Sequence, residues 1–118
     1  MAYDSGNIFA RILRGDIPCK KIYEDAYALA FEDIAPAAPV HVLVIPKGDY
    51  SSFDDFAASA TPGFMHGYFT AIRSIAAQLG LSETGYRLIT NHGADASQSV
   101  AHFHMHILGG RSLGKLLP

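Results

Sequence analysis

The sequence has little of several features that mark specialised classes of protein. Its 118 residues include no tryptophan and only one cysteine. A single cysteine excludes an internal disulfide and a cysteine-rich zinc site. Nine lysines and arginines against 11 aspartates and glutamates give a net charge of −2, whereas a general binder of nucleic acids or membrane surfaces needs a basic excess. No apolar run is long enough for a membrane-spanning helix or a signal peptide. We therefore expect a cytoplasmic protein that binds neither nucleic acid nor membrane.

The composition is otherwise that of an ordinary globular protein. Hydrophobic residues make up 49% and charged residues 17% of the chain, so a core can form without disulfides or a structural metal. Neither a repeat nor a linker divides the sequence, and we predict one domain over residues 1–118. Cys19 lies in a turn-like stretch, where a structural role is favoured over a catalytic thiol.

Hydrophobic periodicity predicts two helices and five strands. A short N-terminal helix should begin after Asn7 and stop at Gly15, and a long central helix should begin after Thr61 and stop at Gly80. The strand signals fall at residues 21–24, 26–31, 40–45, 86–90 and 102–108. The segments do not alternate regularly between strand and helix, so we predict an α+β fold. Its antiparallel sheet should have about five strands, with both helices on one face.

The last predicted strand carries the chemistry. His102, His104 and His106 alternate there with three apolar residues, so the imidazoles should share one face of the strand, about 6.5–7 Å apart. The three histidines suit either zinc ligation or nucleophilic catalysis by the middle histidine with its neighbours assisting. The outer two lie about 13 Å apart on a flat strand, too far to share one metal ion. The spacing therefore favours catalysis.

The segment before this strand, residues 91–99, is mostly small and polar. Such a loop leaves its backbone N–H groups accessible and can surround an oxyanion or a phosphate without net positive charge. Small polar loops are also common as simple turns, so this segment supports an anion site only together with the histidines.

An ordered set of motifs resembles the histidine triad (HIT) family, and within it the branch of histidine triad nucleotide-binding proteins, often called Hint. Besides the His-x-His-x-His pattern, matching segments follow in the same order over nearly the whole chain, at residues 8–12, 24–25, 30–34, 38–47, 85–91, 98–100 and 107–111. The resemblance implies a homodimeric purine nucleoside phosphoramidase that needs no cofactor. Such an enzyme cleaves the P–N bond at the α-phosphate through a covalent nucleotidyl–histidine intermediate and releases AMP or GMP.

The resemblance also implies roles for individual residues. His104 corresponds to the nucleophile, His102 orients it, and His41 from another strand completes the imidazole cluster. His106 and Ser99 correspond to residues at the phosphate or the leaving group. The other residues that match the family's nucleotide site are Asp33 at the ribose, Asn91 and Gln98 near the phosphate, and Ile8, Phe9, Ile12, Ile17, Phe31, Ile34 and Leu43 around the purine.

Three alternatives stay open at this point. A dinucleoside polyphosphate hydrolase of the same superfamily shares the triad, but Ser-Gln-Ser at 97–99 and Gly-Gly-Arg at 109–111 favour Hint. A non-catalytic nucleotide-binding or adaptor protein would not need all the histidines, which the chain retains. A zinc protein would retain the metal after chelator treatment.

The tail after Arg111 lacks the aromatic residues of many relatives, which leaves substrate preference open.

Overall fold

The sheet of this protein has five strands, all antiparallel, in the order β1-β2-β3-β5-β4. The structure is a computed structural model and describes residues 3–117. The strands are β1 Lys21–Glu24, β2 Ala28–Glu32, β3 Val40–Pro46, β4 Arg87–Ile89 and β5 Met105–Gly109. The predicted five-stranded α+β fold is therefore confirmed, although β5 begins three residues later than expected.

Both predicted helices are present, and side-chain caps explain where they begin. Helix α1, Ile8–Leu13, starts where Asn7 Oδ1 accepts a hydrogen bond from the Ala10 N–H at 2.9 Å. The long helix α3, Pro62–Gln78, starts where Thr61 Oγ1 accepts from the Phe64 N–H at 3.1 Å. Each cap satisfies a backbone donor that has no partner inside its helix.

A third helix, α2 Phe53–Ser59, lies between β3 and α3 and was not predicted. Ser52 caps it, and two aspartates occupy its first turn, where the helix dipole favours negative charge. Its buried Phe56 stacks on Phe103 with ring centroids 4.6 Å apart. The main core contains this aromatic pair and the buried face of α3, so packing stabilises a helix that is only seven residues long.

The helices cover both faces of the sheet, so the expectation that they share one face is wrong. Alternate residues of β2, β3 and β5, such as Val42, Val44 and Ile107, form the main core with α2 and α3. On the opposite face, Phe9 and Ile12 of α1 form a second buried cluster with side chains of β2 and β3. Because α1 covers this second face only in part, the rest of the face stays open beside it.

Close contacts tie α3 to the sheet and to the loop before β2. Tyr68 is fully buried on α3 and donates its hydroxyl to the backbone oxygen of Val44 at 2.7 Å, which ties the helix to the centre of the sheet. At Gly67 an added Cβ would lie 2.6 Å from the ring of Tyr27, so only glycine allows that approach. Within residues 3–117, no helix combines the length and apolar character needed to cross a membrane.

Candidate active site

The open face of the sheet brings together residues that are far apart in the sequence. Leu43 of β3 lies opposite Phe31 of β2 on one side and opposite His106 of β5 on the other. Directly paired residues of neighbouring strands project to the same face, so two apolar side chains and an imidazole form one row. His41 precedes Leu43 by two positions and shares that face.

The predicted alternation of the triad segment is reflected in its packing, although His102 and His104 precede β5. Phe103 and Ile107 belong to the main core, and Met105 packs against it. The ring of Phe9, on the opposite face, contacts His104 edge-on at a centroid distance of 4.9 Å. The ring centroids of His104 and His106 lie 5.2 Å apart.

The hydrogen bonds of His104 determine which of its nitrogens can react. Its Nδ1 lies 2.8 Å from the backbone oxygen of His102, and a carbonyl oxygen only accepts hydrogen bonds. Nδ1 therefore carries the proton. Burial lowers the pKa of His104 below its ordinary value, so the ring is neutral at pH 7. The remaining nitrogen, Nε2, has a free lone pair, which is the form that a nucleophile requires.

The same reasoning assigns the protons of His41 and His106. The backbone N–H of Ala37 donates to Nδ1 of His41 at 3.0 Å, so His41 carries its proton on Nε2. That nitrogen lies 2.9 Å from Nδ1 of His106, which must accept. His106 consequently carries its own proton on Nε2. The Ala37 N–H therefore determines, through His41, that His106 is a hydrogen-bond donor at Nε2.

The surroundings of His106 keep it uncharged at neutral pH. Burial, together with the neighbouring His104 and His41, lowers the pKa of His106 to about 4. Burial also lowers the pKa of His102. A cluster of neutral imidazoles can bind an anion through N–H donors while leaving one nitrogen lone pair for attack on an electrophile.

Asp33 lies beside this cluster, at the end of β2. One carboxylate oxygen accepts from the Ala35 N–H at 2.8 Å, and the other lies 3.5 Å from His41 Nε2. Asp33, His41 and His106 each offer a ligand atom within 4.8 Å of the others, so these three residues could hold a metal ion. The hydrogen bond between the two imidazoles accounts for the same proximity without one.

A cavity of about 580 Å³ opens in front of His104 and His106. This volume lies within the range of small-molecule sites. Most of its wall is apolar, and its polar lining residues include Asp33, two serines and the ion-paired Lys20 and Glu32. The predicted residues that line it are Ile8, Phe9, Ile12, Ile17, Phe31, Asp33, Ile34, Leu43, Asn91, Ser99, His104 and His106.

The small polar loop is braced from within by two of the predicted residues. Asn91 Nδ2 donates to the Ala96 oxygen at 2.8 Å. Gln98 accepts from the Gly93 N–H at 3.0 Å and donates to the oxygens of Ser51 and Val100. Asn91 also lines the cavity, whereas Gln98 is not among its lining residues. Gln98 therefore stabilises the conformation of the loop through its hydrogen bonds and does not contact the cavity.

Two other predicted residues, His41 and His102, lie behind the cavity wall rather than on it. His41 contacts His106, and His102 is fully buried and contacts His104 through its backbone oxygen. Ser97, Val100 and Tyr3 were not among the predicted site residues. Ser97 and Val100 line the cavity, and Ser97 adopts a left-handed backbone with φ 60°. Both residues lie in segments that resemble the family, at 97–99 and 98–100, but the resemblance assigned neither of them a role of its own.

Comparison with known proteins identifies the family and the fold of this chain. The family model "HIT domain" matches residues 14–113. A 13.2 kDa HIT-like protein of Azospirillum brasilense is 53% identical over 115 residues, which cover 98% of this chain and 94% of the relative. The structure of a HIT family hydrolase from Clostridium thermocellum is 36% identical with a TM-score of 0.83, covering 98% of this chain and 99% of that one.

A structure described as a histidine triad nucleotide-binding protein from Candida albicans is 30% identical with a TM-score of 0.77. The match covers 86% of this chain and 73% of that one. The family model covers more than half of the chain, and the fold agrees with that of solved HIT proteins. The chain belongs to the histidine triad (HIT) family.

Proposed function

We propose that this protein is a nucleotide hydrolase of the Hint type, a purine nucleoside phosphoramidase that releases AMP or GMP from P–N linked adducts. The observation that carries the proposal is the hydrogen-bond geometry of the triad, from which its protonation pattern follows. The His102 oxygen holds the proton of His104 on Nδ1 and leaves Nε2 as the available nucleophile. His104 lines the cavity together with the donor His106. The same pairing suits attack on a phosphorus atom next to a stabilised oxyanion.

In the proposed reaction the Nε2 lone pair of His104 forms a bond to the α-phosphorus, and the P–N bond of the substrate breaks. His106 Nε2–H donates a hydrogen bond to the phosphoryl oxygen, and the departing nitrogen leaves as ammonia after taking a proton from solvent water. Water then cleaves the nucleotidyl–imidazole bond. Overall, a phosphoramidate monoanion and one water give the nucleoside monophosphate dianion and ammonium, so atoms and charge balance. An imidazole is well suited because it is a neutral nucleophile near pH 7 and also leaves readily.

The rest of the cavity fits the other parts of a purine nucleotide. Phe9, Phe31 and Leu43 form an apolar wall that suits a flat aromatic base. Asp33 offers a carboxylate, which accepts the two hydrogen bonds of a ribose diol. The name of the Candida albicans relative, a nucleotide-binding protein, supports the same ligand class.

The test is release of AMP from adenosine 5′-phosphoramidate in the presence of a chelator. We expect wild-type protein to turn over, His104→Ala to lose at least a thousandfold in kcat, and His66→Ala on the exposed side of α3 to match wild type. We also expect a denatured, radiolabelled complex with nucleotide on the wild type and none on His104→Ala. A folded wild type that binds AMP without turnover would refute the proposal and favour pure nucleotide binding.

Two outcomes of that assay separate the remaining alternatives. Turnover of a dinucleoside polyphosphate with inertness toward the phosphoramidate would identify the other hydrolase of the superfamily. Loss of activity on chelation, restored by zinc, would assign Asp33, His41 and His106 to a metal. The proposal expects full activity in chelator, because no step of the mechanism needs a cofactor.

The proposal includes a homodimer in the cytoplasm. Strand β4 is an edge of the sheet, and Leu88 at its centre is 41% exposed. An exposed apolar edge strand is suited to pairing with a second copy. We expect light scattering to give the mass of two chains and Leu88→Lys to give one chain. A monomeric wild type at micromolar concentration would refute this part alone.

A further inference from the structure

The first histidine of the triad is buried and needs a partner for each ring nitrogen. His102 is 0% exposed, and its Nε2 donates to the backbone oxygen of Pro46 at 3.1 Å. Because burial keeps the ring neutral, Nδ1 holds a lone pair. A buried acceptor without a donor costs free energy. The donor is the hydroxyl of Tyr3, which contacts Nδ1 directly.

The direction of the Tyr3 hydroxyl is itself determined. Asn7 Nδ2 donates to Tyr3 Oη at 2.9 Å, so the hydroxyl oxygen accepts there and its hydrogen is free for His102. Burial raises the pKa of Tyr3, which keeps that hydrogen in place. Asn7 also caps α1 through its Oδ1. The residue that begins α1 therefore also orients Tyr3.

This chain of contacts ends at the nucleophile. Tyr3 and Pro46 together fix the plane of the His102 ring and its tautomer. The backbone oxygen of His102 accepts the Nδ1 proton of His104 at 2.8 Å. The His102 ring is fully buried and belongs to the same packed residue as this carbonyl, so we expect a displacement of the ring to shift the carbonyl as well.

We propose that Tyr3 is a positioning residue: its hydroxyl holds His102 so that the His102 carbonyl keeps His104 in the reactive tautomer. The inference rests on the proposed function, since it assigns Tyr3 a part in preparing His104 for attack. It extends the site to a residue outside the triad motif and outside the substrate cavity. The competing explanation is packing alone, because the Tyr3 and His102 rings also meet edge-on at 5.7 Å.

Tyr3→Phe separates the two explanations, since it keeps the ring and removes the hydroxyl. We expect kcat for adenosine 5′-phosphoramidate to fall about tenfold, with KM changing less than twofold, because Tyr3 does not touch the cavity. In protein labelled with ¹⁵N at histidine, the His102 Nδ1 resonance should move toward that of an imine nitrogen without a donor. The His104 Nδ1 resonance should shift with it.

The matched control is Tyr23→Phe. Tyr23 also donates its hydroxyl, to Asp25 Oδ2 at 2.8 Å, but on edge strand β1 away from the histidines. We expect this variant to leave kcat and both imidazole resonances as in wild type. Equal loss of kcat in the two variants would indicate a general effect of lost stability and would overturn the proposal.

Asn7→Asp tests the same contact without removing Tyr3, should Tyr3→Phe fail to fold. Aspartate caps a helix as well as asparagine does, but it offers Tyr3 an acceptor in place of a donor. The hydroxyl hydrogen should then turn from His102 to residue 7, with the same fall in kcat and the same ¹⁵N shift. An unchanged His102 resonance in both variants would overturn the proposal. An inactive wild type would refute the proposed function, and the His104 resonance would still test the positioning.

Discussion

The depressed pKa of His106 makes the stability of the protein depend on pH in a direction and by an amount that can be worked out. The pKa falls from 6.5 to about 4 on folding, so the unfolded chain binds a proton between these values and the folded chain does not. Stability is therefore fully present above pH 6.5 and is lost as the pH falls toward 4. Between pH 7 and pH 5 this single group lowers the free energy of unfolding by about 2 kcal/mol.

His102 and His104 add to the loss, because burial lowers the pKa of each. The assay is urea unfolding followed by circular dichroism at several pH values and one protein concentration. The informative variant is His106→Asn, whose amide oxygen can still accept from His41 Nε2–H but whose side chain does not titrate. We expect the change in unfolding free energy between pH 7 and pH 5 to be about 2 kcal/mol smaller in this variant than in wild type.

His66→Asn provides the control, because it removes an exposed histidine of α3 that has no contact with the triad. The reasoning would be refuted if His106→Asn showed the full pH dependence of wild type. That result would mean that His106 accepts a proton in the folded state near pH 6.5, and the assignment of a neutral His106 would be wrong.

Two further predictions concern the cavity. For Asp33→Asn we expect KM for a ribonucleotide substrate to rise tenfold or more, since hydrogen bonds to a charged acceptor are worth about 1.5–3 kcal/mol. In parallel kinetic assays the variant should also discriminate less between ribose and 2′-deoxyribose substrates. Unchanged discrimination would contradict ribose binding by Asp33. Ile34 is 102% exposed at the cavity mouth. For Ile34→Ala we expect the free energy of unfolding, measured in urea, to stay within about 0.5 kcal/mol of wild type while KM rises several-fold. A destabilised variant with unchanged KM would show a structural role instead.

Local rules were sufficient for much of the fold. Asn7 and Thr61 are good caps and begin α1 and α3 as predicted, because capping depends on a side chain and a backbone three residues away. Helix α2 was missed, since Phe and Asp are weak helix formers and its periodic apolar residues are few. The only local features that indicated a helix here were the Ser52 cap and the aspartates of the first turn. Its stability comes from Phe56 packing against residues such as Phe103.

The sequence by itself determined that three imidazoles lie opposite the apolar side chains of one segment, because alternation in an extended chain is a local property. Their protons were decided only by the tertiary structure. His41 meets His106 across 65 residues, and Tyr3 meets His102 across 99. Which nitrogen donates depends on backbone groups such as the Ala37 N–H and the His102 oxygen. No local pattern contains such contacts, since strand pairing and the position of α1 on the sheet create them.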